Sequence, residues 1–459
     1  MLSNPNLKSE NYTDKVVYQL RKRIQNREII VGIIGLGYVG LPLAIRFSEE
    51  GFKTIGLDID KKKIDKLSRS ESYIRHIELE KIINMVKLGF KATNKFGEIS
   101  YIDVIIICVP TPLGPHNEPD LSYIHNTLDT IRPYLRENQA LILESTTYPG
   151  TTGEEIVPFV ESITTESQVP NSNSRFIIGE NFFIGYSPER EDPGNKHYTT
   201  RNIPKVVSGF TANCLEITQN LYDQIVDTTV PVSSPRVAEM TKILENIHRA
   251  VNIGLVNELK MVSDKMDIDI YEVINAAATK PFGFTPYFPG PGLGGHCIPI
   301  DPFYLAWKAK EVGMETRFIE LAGEINTAMP NFVIQKVNEA LNNSGKSING
   351  SRILILGLAY KKNVDDLRES PSLELMDSLM DMGADIQYCD PYFDIIPSTR
   401  KHQFELSAMP MNEKTVKSAD LVLLATDHDD FDYSLILEKA KLIVDTRGRF
   451  PYSPKVIKA

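Results

Sequence analysis

Short apolar runs alternate with longer amphipathic stretches in two parts of the chain, on either side of a segment with helical periodicity. The first group of runs is IIVGIIG, KTIGLDID, YIDVIIICVP, ALILESTT and FFIGYSP. Parallel strands covered on both faces have this uncharged, β-branched character. The alternation predicts a doubly wound α/β domain over residues 29–210. A polar extension, residues 1–28, precedes it and contains a short predicted helix from Val16 to Ile24.

The next segment is predicted to be helical. From Pro235, apolar residues recur at intervals that place them on one helix face, which predicts a long helix and then a shorter helical pair that ends near Ala278. A glycine- and proline-rich loop follows, and a further helix is expected from Pro302 to Ala328. We therefore assign residues 211–330 to a central helical domain.

A second α/β pattern begins at Ser351. The runs SRILILGLAY, ADIQYCDP, ADLVLLATDH and KLIVDTRG predict strands separated by helix-length segments, so a second α/β domain is expected over residues 345–459. The expected fold class is α/β, with two Rossmann-like doubly wound domains joined by a long-helix central domain. The sequence leaves open whether the two α/β halves are structural relatives.

Composition narrows the class of protein. The 459 residues include 42% hydrophobic and 24% charged residues, as expected of a packed globular chain, and the net charge is -10. This acidic balance argues against a general nucleic-acid binder. The uncharged run from Ile29 to Ile45 is interrupted by glycines and a proline, so it predicts a strand, a turn and a helix rather than a membrane insertion.

The four cysteines are Cys108, Cys214, Cys297 and Cys389. They lie far apart and form no CxxC pair, so we expect neither a metal site nor a disulfide framework. The first residues are polar and contain no apolar signal core. Both features predict a protein of the reducing cytoplasm.

A glycine-rich turn follows the first predicted strand directly and opens an apolar helix. It consists of Gly35, Leu36, Gly37, Tyr38, Val39 and Gly40. Such glycines permit a tight turn, close approach of a pyrophosphate and close packing of strand and helix. Asp58 lies about 20 residues downstream, where a carboxylate accepts hydrogen bonds from ribose and repels a 2′-phosphate. The turn therefore predicts an NAD site; Lys63 either reaches the adenosine end or is only a solvated charge.

Two other strand ends should face the same crevice, because ligands of such sheets bind at the carboxyl ends of the strands. One carries Pro110 and Thr111, and the other carries Ser145 and Thr146. Taken alone, each is also compatible with an ordinary strand-exit turn.

Cys297 lies in the loop GPGLGGHCIPIDP, where glycines allow unusual backbone conformations. A thiol in such a polar loop differs from a core cysteine, and His296 and nearby N–H groups would favour the nucleophilic thiolate. Asp301 is expected to cap the helix that begins at Pro302. A packing role for Cys297 remains equally compatible with these residues alone.

Lys242 and Asn246 lie four residues apart and share one face of the predicted long helix. They form either a solvated helix face or, in a cleft, a pair that binds an oxyanion.

Six motifs in order resemble the UDP-glucose/UDP-N-acetylhexosamine 6-dehydrogenase family over nearly the whole chain from Ile29. The motifs are GLGYVG at 35–40, ESTTYPGTT at 144–152, YSPERE at 186–191, KILENIHRAVNIGLVNE at 242–258, GPGLGGHCIPIDP at 290–302 and GLAYKKNVDDLRESPS at 357–372. The resemblance implies an NAD domain, a helical dimerisation domain and a UDP-sugar domain, and thus at least a homodimer. It implies a two-step, four-electron oxidation in which Cys297 forms a thiohemiacetal and then a thioester.

The resemblance also implies roles for individual residues. Lys242 and Asn246 would stabilise an oxyanion, Asp301 would assist proton transfer, and Thr146 and Glu189 would position a water molecule. The residues implied in binding the UDP-sugar are Glu189, Arg190, Lys242, Asn246, Tyr287, Gly294, Lys361, Arg368 and Arg447.

The sugar is the finer question. UDP-glucose members of the family have the pattern GG-x-C-[FL]-P-K-D, whereas this chain has GGHCIPIDP, with Ile300 in place of the lysine. This loop resembles the N-acetylhexosamine branch, and SPEREDPGN is most similar to its UDP-N-acetylglucosamine members. UDP-N-acetylmannosamine and UDP-glucose remain alternatives, and surface polysaccharide synthesis is the expected use of the product.

Two other classes of protein share parts of this pattern. A non-catalytic nucleotide-binding regulator would not need Cys297, Lys242, Asn246 and Asp301 together. A single-step hydroxyacid dehydrogenase would need neither the second α/β domain nor the cysteine loop.

Overall fold

A computed structural model describes residues 6–74, 77–166, 173–191, 197–295, 297–399 and 401–459. The chain divides into two compact units, Met1–Glu245 and Asn246–Ala459. The long helix α8 (Pro235–Lys265) contributes residues to both units.

The first unit contains the strands and helices predicted from the sequence of the amino-terminal half, together with several that were not predicted. In chain order they are α1 (Asn6–Gln25), β1 (Ile30–Ile34), α2 (Gly40–Glu49), β2 (Lys53–Leu57), α3 (Lys61–Ser68), α4 (Leu79–Lys87), β3 (Lys91–Thr93), β4 (Val104–Ile107), α5 (Ser122–Ile131), β5 (Gln139–Leu143), α6 (Val157–Glu161), β6 (Thr164–Glu166), β7 (Asn173–Arg175), β8 (Phe182–Tyr186), β9 (Lys205–Gly209), α7 (Ala212–Tyr222) and β10 (Thr229–Pro231). Short helical turns occur at Phe96–Tyr101, Arg132–Tyr134 and Thr152–Ile156.

Among the described residues, eight strands of this unit form one sheet in the order β10-β9-β8-β5-β4-β1-β2-β3. The pairs are parallel except for β8 with β9. This is the doubly wound order of dinucleotide-binding domains, with the strand order reversing between β1 and β4. Strand β4 is buried throughout, which explains its unbroken VIII sequence.

The second unit has a helical part followed by the second sheet. After α8 its elements are α9 (Ile270–Ala278), α10 (Asp301–Ala309), α11 (Arg317–Asn343), β11 (Arg352–Leu356), α12 (Pro371–Asp381), β12 (Asp385–Cys389), α13 (Glu413–Ser418), β13 (Leu421–Leu424), α14 (Tyr433–Lys439), β14 (Ile443–Asp445) and β15 (Val456–Lys458). A short helical turn, Lys310–Val312, follows α10. Within the described residues the sheet order is β12-β11-β13-β14-β15, and all pairs are parallel. The predicted α/β class with two doubly wound sheets is confirmed.

The helix predicted from Pro302 to Ala328 is wrong in its extent. Two helices replace it: α10 ends at Ala309, and Gly313, in a left-handed conformation (φ 71°), ends the short helical turn that follows α10. The second helix, α11, runs past Ala328 and through Pro330. The expected helical pair after α8 is a single helix, α9, and α1 begins ten residues earlier than the predicted Val16.

Several short strands were missed, namely β3, β6, β7, β9, β10 and β15. Strands β9 and β10 carry the first sheet to Pro231, beyond the expected domain end at residue 210. Their segments are short or polar. Strand β9 forms by antiparallel pairing with β8, and β10 forms by parallel pairing with β9, and no local pattern encodes either partner.

The two sheets repeat one backbone corner, which the sequence left open. After β1, Gly35 (φ 94°) donates to the Leu57 carbonyl, and after β11, Gly357 (φ 82°) donates to the Cys389 carbonyl. The N–H group of the next residue donates to a carboxylate in both sheets, at 2.9 Å to Asp58 and 2.6 Å to Asp390. The two α/β halves therefore close their first strand–helix turn by the same device.

Lys260 on α8 is a buried lysine, with 3% of its surface exposed. Its Nζ lies 3.5 Å from the Tyr271 hydroxyl. Burial lowers the pKa of Lys260 to about 7, against the attraction of Asp445. The folded state therefore binds this proton more weakly than the unfolded state does. The charged lysine lowers the free energy of unfolding by its full amount at pH 7 and below, and this destabilisation decreases as the pH rises above 7.

We predict that Lys260→Met raises the free energy of unfolding, because methionine fills the volume without a buried charge. The gain should be largest at pH 7 and below, and should shrink by about 1.4 kcal/mol per pH unit from there towards pH 10. Urea unfolding of both proteins at several pH values measures the gap. The control Lys265→Met, at an exposed position, should give a difference independent of pH; a pH-independent gap for Lys260→Met would contradict the explanation.

Candidate active site

The glycine turn after β1 is built by steric constraints that differ among its glycines. A Cβ on Gly35 would lie 2.4 Å from the Cys108 carbonyl oxygen, and a Cβ on Gly40 would lie 1.9 Å from the Gly35 carbonyl oxygen. A Cβ on Gly37 would meet no atom within 4 Å. Gly35 and Gly40 thus hold strand and helix together, whereas Gly37 leaves open space beside the helix start, as a bound pyrophosphate requires. Tyr38 and Val39 complete the turn and are partly exposed.

Asp58 lies at the end of β2 and is 6% exposed. Its carboxylate accepts hydrogen bonds from the N–H groups of Leu36 (2.9 Å) and Asp60 (2.8 Å). The Lys63 ammonium lies 3.0 Å from the same carboxylate, so Lys63 is not merely a solvated charge. This carboxylate is fixed beside the glycine turn, where an NAD ribose would lie.

The ends of β4 and β5 lie together, as predicted. The Thr111 hydroxyl donates to the Thr146 carbonyl at 2.7 Å, and the Ser145 hydroxyl donates to the Val109 carbonyl at 2.7 Å. Pro110, between the two contacts, is exposed. These bonds hold two strand exits at the edge of the sheet where the glycine turn also lies.

Lys242 is not on a solvated helix face, since it is 6% exposed. In the first unit its Nζ lies 3.4 Å from Glu189 Oε2. The other oxygen of Glu189 accepts a hydrogen bond from the Glu191 N–H group. Arg190, the next residue, donates to the Pro204 carbonyl at 2.7 Å and pairs with Glu245 at 2.6 Å. The segment YSPERE is thereby fixed against α8.

Asn246 and Asp301 form a buried pair in the second unit, with 2% and 3% of their surfaces exposed. The Asn246 amide donates to Asp301 Oδ2 at 2.6 Å. The predicted capping role of Asp301 is wrong: the helix begins at Asp301 itself, and Ile300 occupies the capping position. The carboxylate turns towards Asn246 because the amide offers a buried donor, which a buried carboxylate needs.

Cys297 is held close to this pair by its backbone. Its carbonyl oxygen accepts hydrogen bonds from the N–H groups of Asp301 (2.8 Å) and Ile300 (3.2 Å). Cys297 is partly exposed, whereas the other three cysteines are buried, as expected of packing residues. His296, the neighbour expected to favour the thiolate, lies outside the described residues.

The glycines before Cys297 pack on the loop that follows β11. The Gly295 N–H group donates to the Arg368 carbonyl at 2.8 Å, and a Cβ on Gly294 would lie 2.5 Å from the Tyr360 Cβ. The Arg368 guanidinium binds both carboxylate oxygens of Asp366, with contacts of 2.7 to 3.0 Å. Lys361, which follows Tyr360, is partly exposed.

Arg447 and Tyr287 lie in two further loops of the second unit. The Arg447 Nε donates to the Ala425 carbonyl at 2.7 Å, and its Nη1 lies 2.9 Å from where a Cβ on Gly290 would stand. The Tyr287 hydroxyl is hydrogen bonded to His248 Nδ1 at 3.0 Å. The loop 285–295, the Arg447 loop and the loop after β11 thus meet in one region.

Three positioning residues escaped the sequence analysis. In the first unit the Glu239 carboxylate accepts from the N–H groups of Gly150 and Thr152, at 2.5 and 2.9 Å. In the second unit Asn257 Oδ1 accepts from the Gly290 N–H group at 3.0 Å, and the Tyr271 hydroxyl donates to the Thr446 carbonyl at 2.7 Å. Glu239 lies seven residues before Asn246 and Asn257 lies eleven after it, so these three residues share one face of α8. This helical spacing of polar residues was the signal that could have found Glu239 and Asn257.

None of the described helices is long and apolar enough to cross a membrane. The candidate groups of the first unit are thus a dinucleotide-type turn and a Lys–Glu pair, and those of the second unit are a thiol beside an Asn–Asp pair. An ammonium and an amide donate hydrogen bonds, a thiol attacks carbonyl carbon, and carboxylates move protons, so the inventory suits oxidation at a carbonyl-forming carbon.

Three models of the UDP-glucose/GDP-mannose dehydrogenase family match the chain in order. They are the NAD binding domain at residues 29–226, the central domain at 236–328 and the UDP binding domain at 354–451. Protein CapL of Staphylococcus aureus is 36% identical over 424 residues, which cover 91% of this chain and 95% of CapL.

The UDP-N-acetyl-D-glucosamine 6-dehydrogenase of Salmonella typhi is 33% identical over 405 residues, or 88% of this chain and 91% of that protein. The solved UDP-D-ManNAc dehydrogenase of Pyrococcus horikoshii superposes with a TM-score of 0.82 at 30% identity and covers 93% of this chain and 97% of that one. The chain therefore belongs to the UDP-glucose/GDP-mannose dehydrogenase family and is an NAD-dependent nucleotide-sugar dehydrogenase.

Proposed function

We propose that this enzyme oxidises the C6 hydroxymethyl group of UDP-N-acetyl-D-glucosamine to the carboxylate, in two steps, for surface polysaccharide synthesis. The observation that carries the proposal is the buried Asn246–Asp301 hydrogen bond at 2.6 Å beside the backbone of Cys297. A non-catalytic regulator would have no need to bury this pair next to an accessible thiol.

Cys297 makes the second oxidation possible. Its thiolate sulfur adds to C6 of the aldehyde and gives a thiohemiacetal, whose loss of hydride leaves a thioester. Water then adds to the thioester carbon, and the C–S bond breaks to return the thiol. Per sugar, RCH₂OH, two NAD⁺ and water give RCOO⁻, two NADH and three protons.

The polar residues stabilise charge and move protons around C6. Lys242 and Asn246 donate hydrogen bonds to the oxyanion that forms when sulfur or water adds. Asp301, held by Asn246, orients the attacking water and takes up its proton, while Thr146 and Glu189 position a water molecule in the proton chemistry of the first step.

The NAD site fits the first sheet. Gly37 leaves the space that a pyrophosphate needs, and the N–H groups at the start of α2 face it. The Asp58 carboxylate would hold the ribose, helped by Lys63 at the adenosine end, and Thr111, Ser145 and Thr146 would border the nicotinamide end. When bound, NAD accepts the hydride released in each oxidation.

The UDP-sugar would be held by loops of the second unit. Arg447, Lys361 and Arg368 supply positive charge for the diphosphate. Tyr287 and the tightly packed Gly294 belong to the loop that would enclose the sugar and uridine. Arg190 supports the same substrate from the first unit through its hold on the YSPERE segment.

Ile300 supports an N-acetylated sugar. It is 9% exposed, so an apolar wall replaces the charged lysine found here in the UDP-glucose pattern. UDP-N-acetyl-D-mannosamine is the second candidate, because the superposed Pyrococcus horikoshii structure is a UDP-D-ManNAc dehydrogenase. We place the enzyme in the cytoplasm, since its mechanism needs Cys297 as a reduced thiol.

We predict that two NADH form per UDP-N-acetylglucosamine consumed, because the aldehyde stays bound to Cys297. Cys297→Ser should lower uronate formation to about one-thousandth or less, since the serine hydroxyl is a poorer nucleophile and leaving group. NADH absorbance with product chromatography measures both quantities. Cys214→Ser is the matched control and should retain activity; one NADH per sugar, or an active Cys297→Ser variant, would exclude the thioester route.

Assays with the UDP-activated forms of glucose, N-acetylglucosamine, N-acetylmannosamine and their galacto relatives test the sugar. We expect kcat/KM to be highest for UDP-N-acetylglucosamine. Ile300→Lys should lower the ratio of kcat/KM for UDP-N-acetylglucosamine to kcat/KM for UDP-glucose. Ile300→Met conserves volume and should keep the preference. A higher kcat/KM for UDP-N-acetylmannosamine would make that sugar the substrate and would leave the proposed chemistry unchanged.

The enzyme is further proposed to form at least a homodimer through α8. Leu255, Leu259 and Val262 lie on one stripe of this helix, Met266 follows directly after its end, and each is more than 40% exposed. The same stripe on a second copy is the occupant that would cover these residues, as the dimerisation role of the central domain implies.

Leu259→Glu should therefore convert the dimer to monomers, because a charge at the centre of an apolar helix contact is costly to bury. Sedimentation or light scattering gives the mass. Glu258→Gln, at the neighbouring exposed position, is the control that should leave the mass unchanged. An unchanged mass for Leu259→Glu would place the interface elsewhere.

A further inference from the structure

Glu191 is a second carboxylate next to Glu189, and nothing in the proposed chemistry uses it. Its N–H group donates to the Glu189 carboxylate, and its own carboxylate accepts a hydrogen bond from the Thr200 hydroxyl. The two glutamates, which are separated only by Arg190, are thus joined by this backbone-to-side-chain hydrogen bond. The Thr200 hydroxyl thereby fixes the position of the Glu191 carboxylate.

A cavity joins these carboxylates to the glycine turn. Glu144, Glu189, Glu191, Lys205 and Val39 are among its lining residues. Three carboxylates, the Lys205 ammonium and Arg190, whose guanidinium pairs with Glu245, therefore line the same small space beside the start of α2. Such a space can carry protons between titratable groups, whereas an apolar cavity cannot.

The carboxylates of this cavity are not equivalent. Glu144 accepts a hydrogen bond from the Tyr222 hydroxyl and pairs with the Lys205 ammonium at 3.0 Å. Lys205 also donates to the Pro188 carbonyl at 3.1 Å. Glu189 pairs with Lys242. Among the described residues, Glu191 has the Thr200 hydroxyl rather than a cation as the donor to its carboxylate.

Burial and the charges around Glu191 favour its protonated form. Burial raises the pKa of Glu191 to about 7; the Thr200 hydrogen bond and Lys205 oppose the rise, and Glu189 and Glu144 add to it. The neighbouring Cys108 thiol is itself neutral, because burial and Glu144 raise its pKa. A carboxyl group with a pKa near neutrality exchanges protons readily at physiological pH.

The proposed reaction must export protons. Each sugar releases three, as the balanced equation shows, and a Lys–Glu pair that has taken one must pass it on before it accepts the next. A second acceptor beside Glu189 meets this need without any new reactant.

We propose that Glu191 is the proton acceptor for Glu189 and passes protons through the cavity towards solvent. The step rests on the proposed oxidation. A proton leaves a carboxyl oxygen of Glu189 and binds a carboxylate oxygen of Glu191, and no bond to carbon or sulfur changes. Glu191 touches neither C6 nor the cofactor in this role, so it is a positioning and relay residue.

The test compares Glu191→Gln, Thr200→Val and the matched control Thr199→Val by the pH dependence of kcat. In the native enzyme kcat should rise with pH through about 7, because only ionised Glu191 accepts a proton. Thr200→Val removes a donor that favours the anion and should move this limb to higher pH. Thr199→Val, at an exposed position, should leave the limb in place.

Glu191→Gln should lose this limb and lower kcat about tenfold to hundredfold, with KM for the sugar and the affinity for NAD unchanged. Formate or imidazole should restore kcat in proportion to its concentration, which a merely structural role would not allow. Unchanged pH profiles, or a rise in KM without rescue, would overturn the relay. A native enzyme inactive on every UDP-sugar would instead overturn the proposed function itself.

Discussion

The buried polar face of α8 is the constraint on which the site depends. Polar groups removed from water must find partners, and each such group on this face holds a different loop. In the first unit Glu239 binds the Gly150 turn, and Lys242 binds Glu189. In the second unit Asn246 holds Asp301, and Asn257 holds Gly290. The candidate site residues are thus placed, within each unit, by the cost of leaving any of these groups unsatisfied.

Buried charge is distributed unequally in the two units. Lys205 is neutralised by Glu144 at 3.0 Å, whereas Lys260 faces the Tyr271 hydroxyl at 3.5 Å under the influence of Asp445 and the cationic Arg447 and Lys458. An unpaired buried cation costs stability unless it loses its proton. Burial therefore lowers the pKa of Lys260 despite the attraction of Asp445, in the same unit as the Arg447 loop to which we assign the diphosphate.

The sequence predicted those parts of the molecule whose signal is local. The glycine turn, Asp58 and the Cys297 loop depend on residue types at short spacing, and the buried strands depend on unbroken apolar runs. What it missed depends on distant partners: β9 forms by pairing with β8, β10 forms by pairing with β9, and α11 continues through Pro330 because it is packed in the core. The prediction that Asp301 caps the next helix was wrong for the same reason, because the Asn246 amide binds the carboxylate.

The repeated corner of the two sheets explains why they would bind nucleotides differently. Beside Asp58 stands Lys63, about one-third exposed, which can leave the carboxylate to a ribose. Beside Asp390 stands His428, 3.3 Å away with neither side chain exposed, and the Asn363 N–H group fixes the ring at 3.0 Å. The second acid is therefore closed to a ligand and serves only the backbone turn. A nucleotide at the second sheet must be recognised by its loops, which is where Lys361 and Arg447 lie.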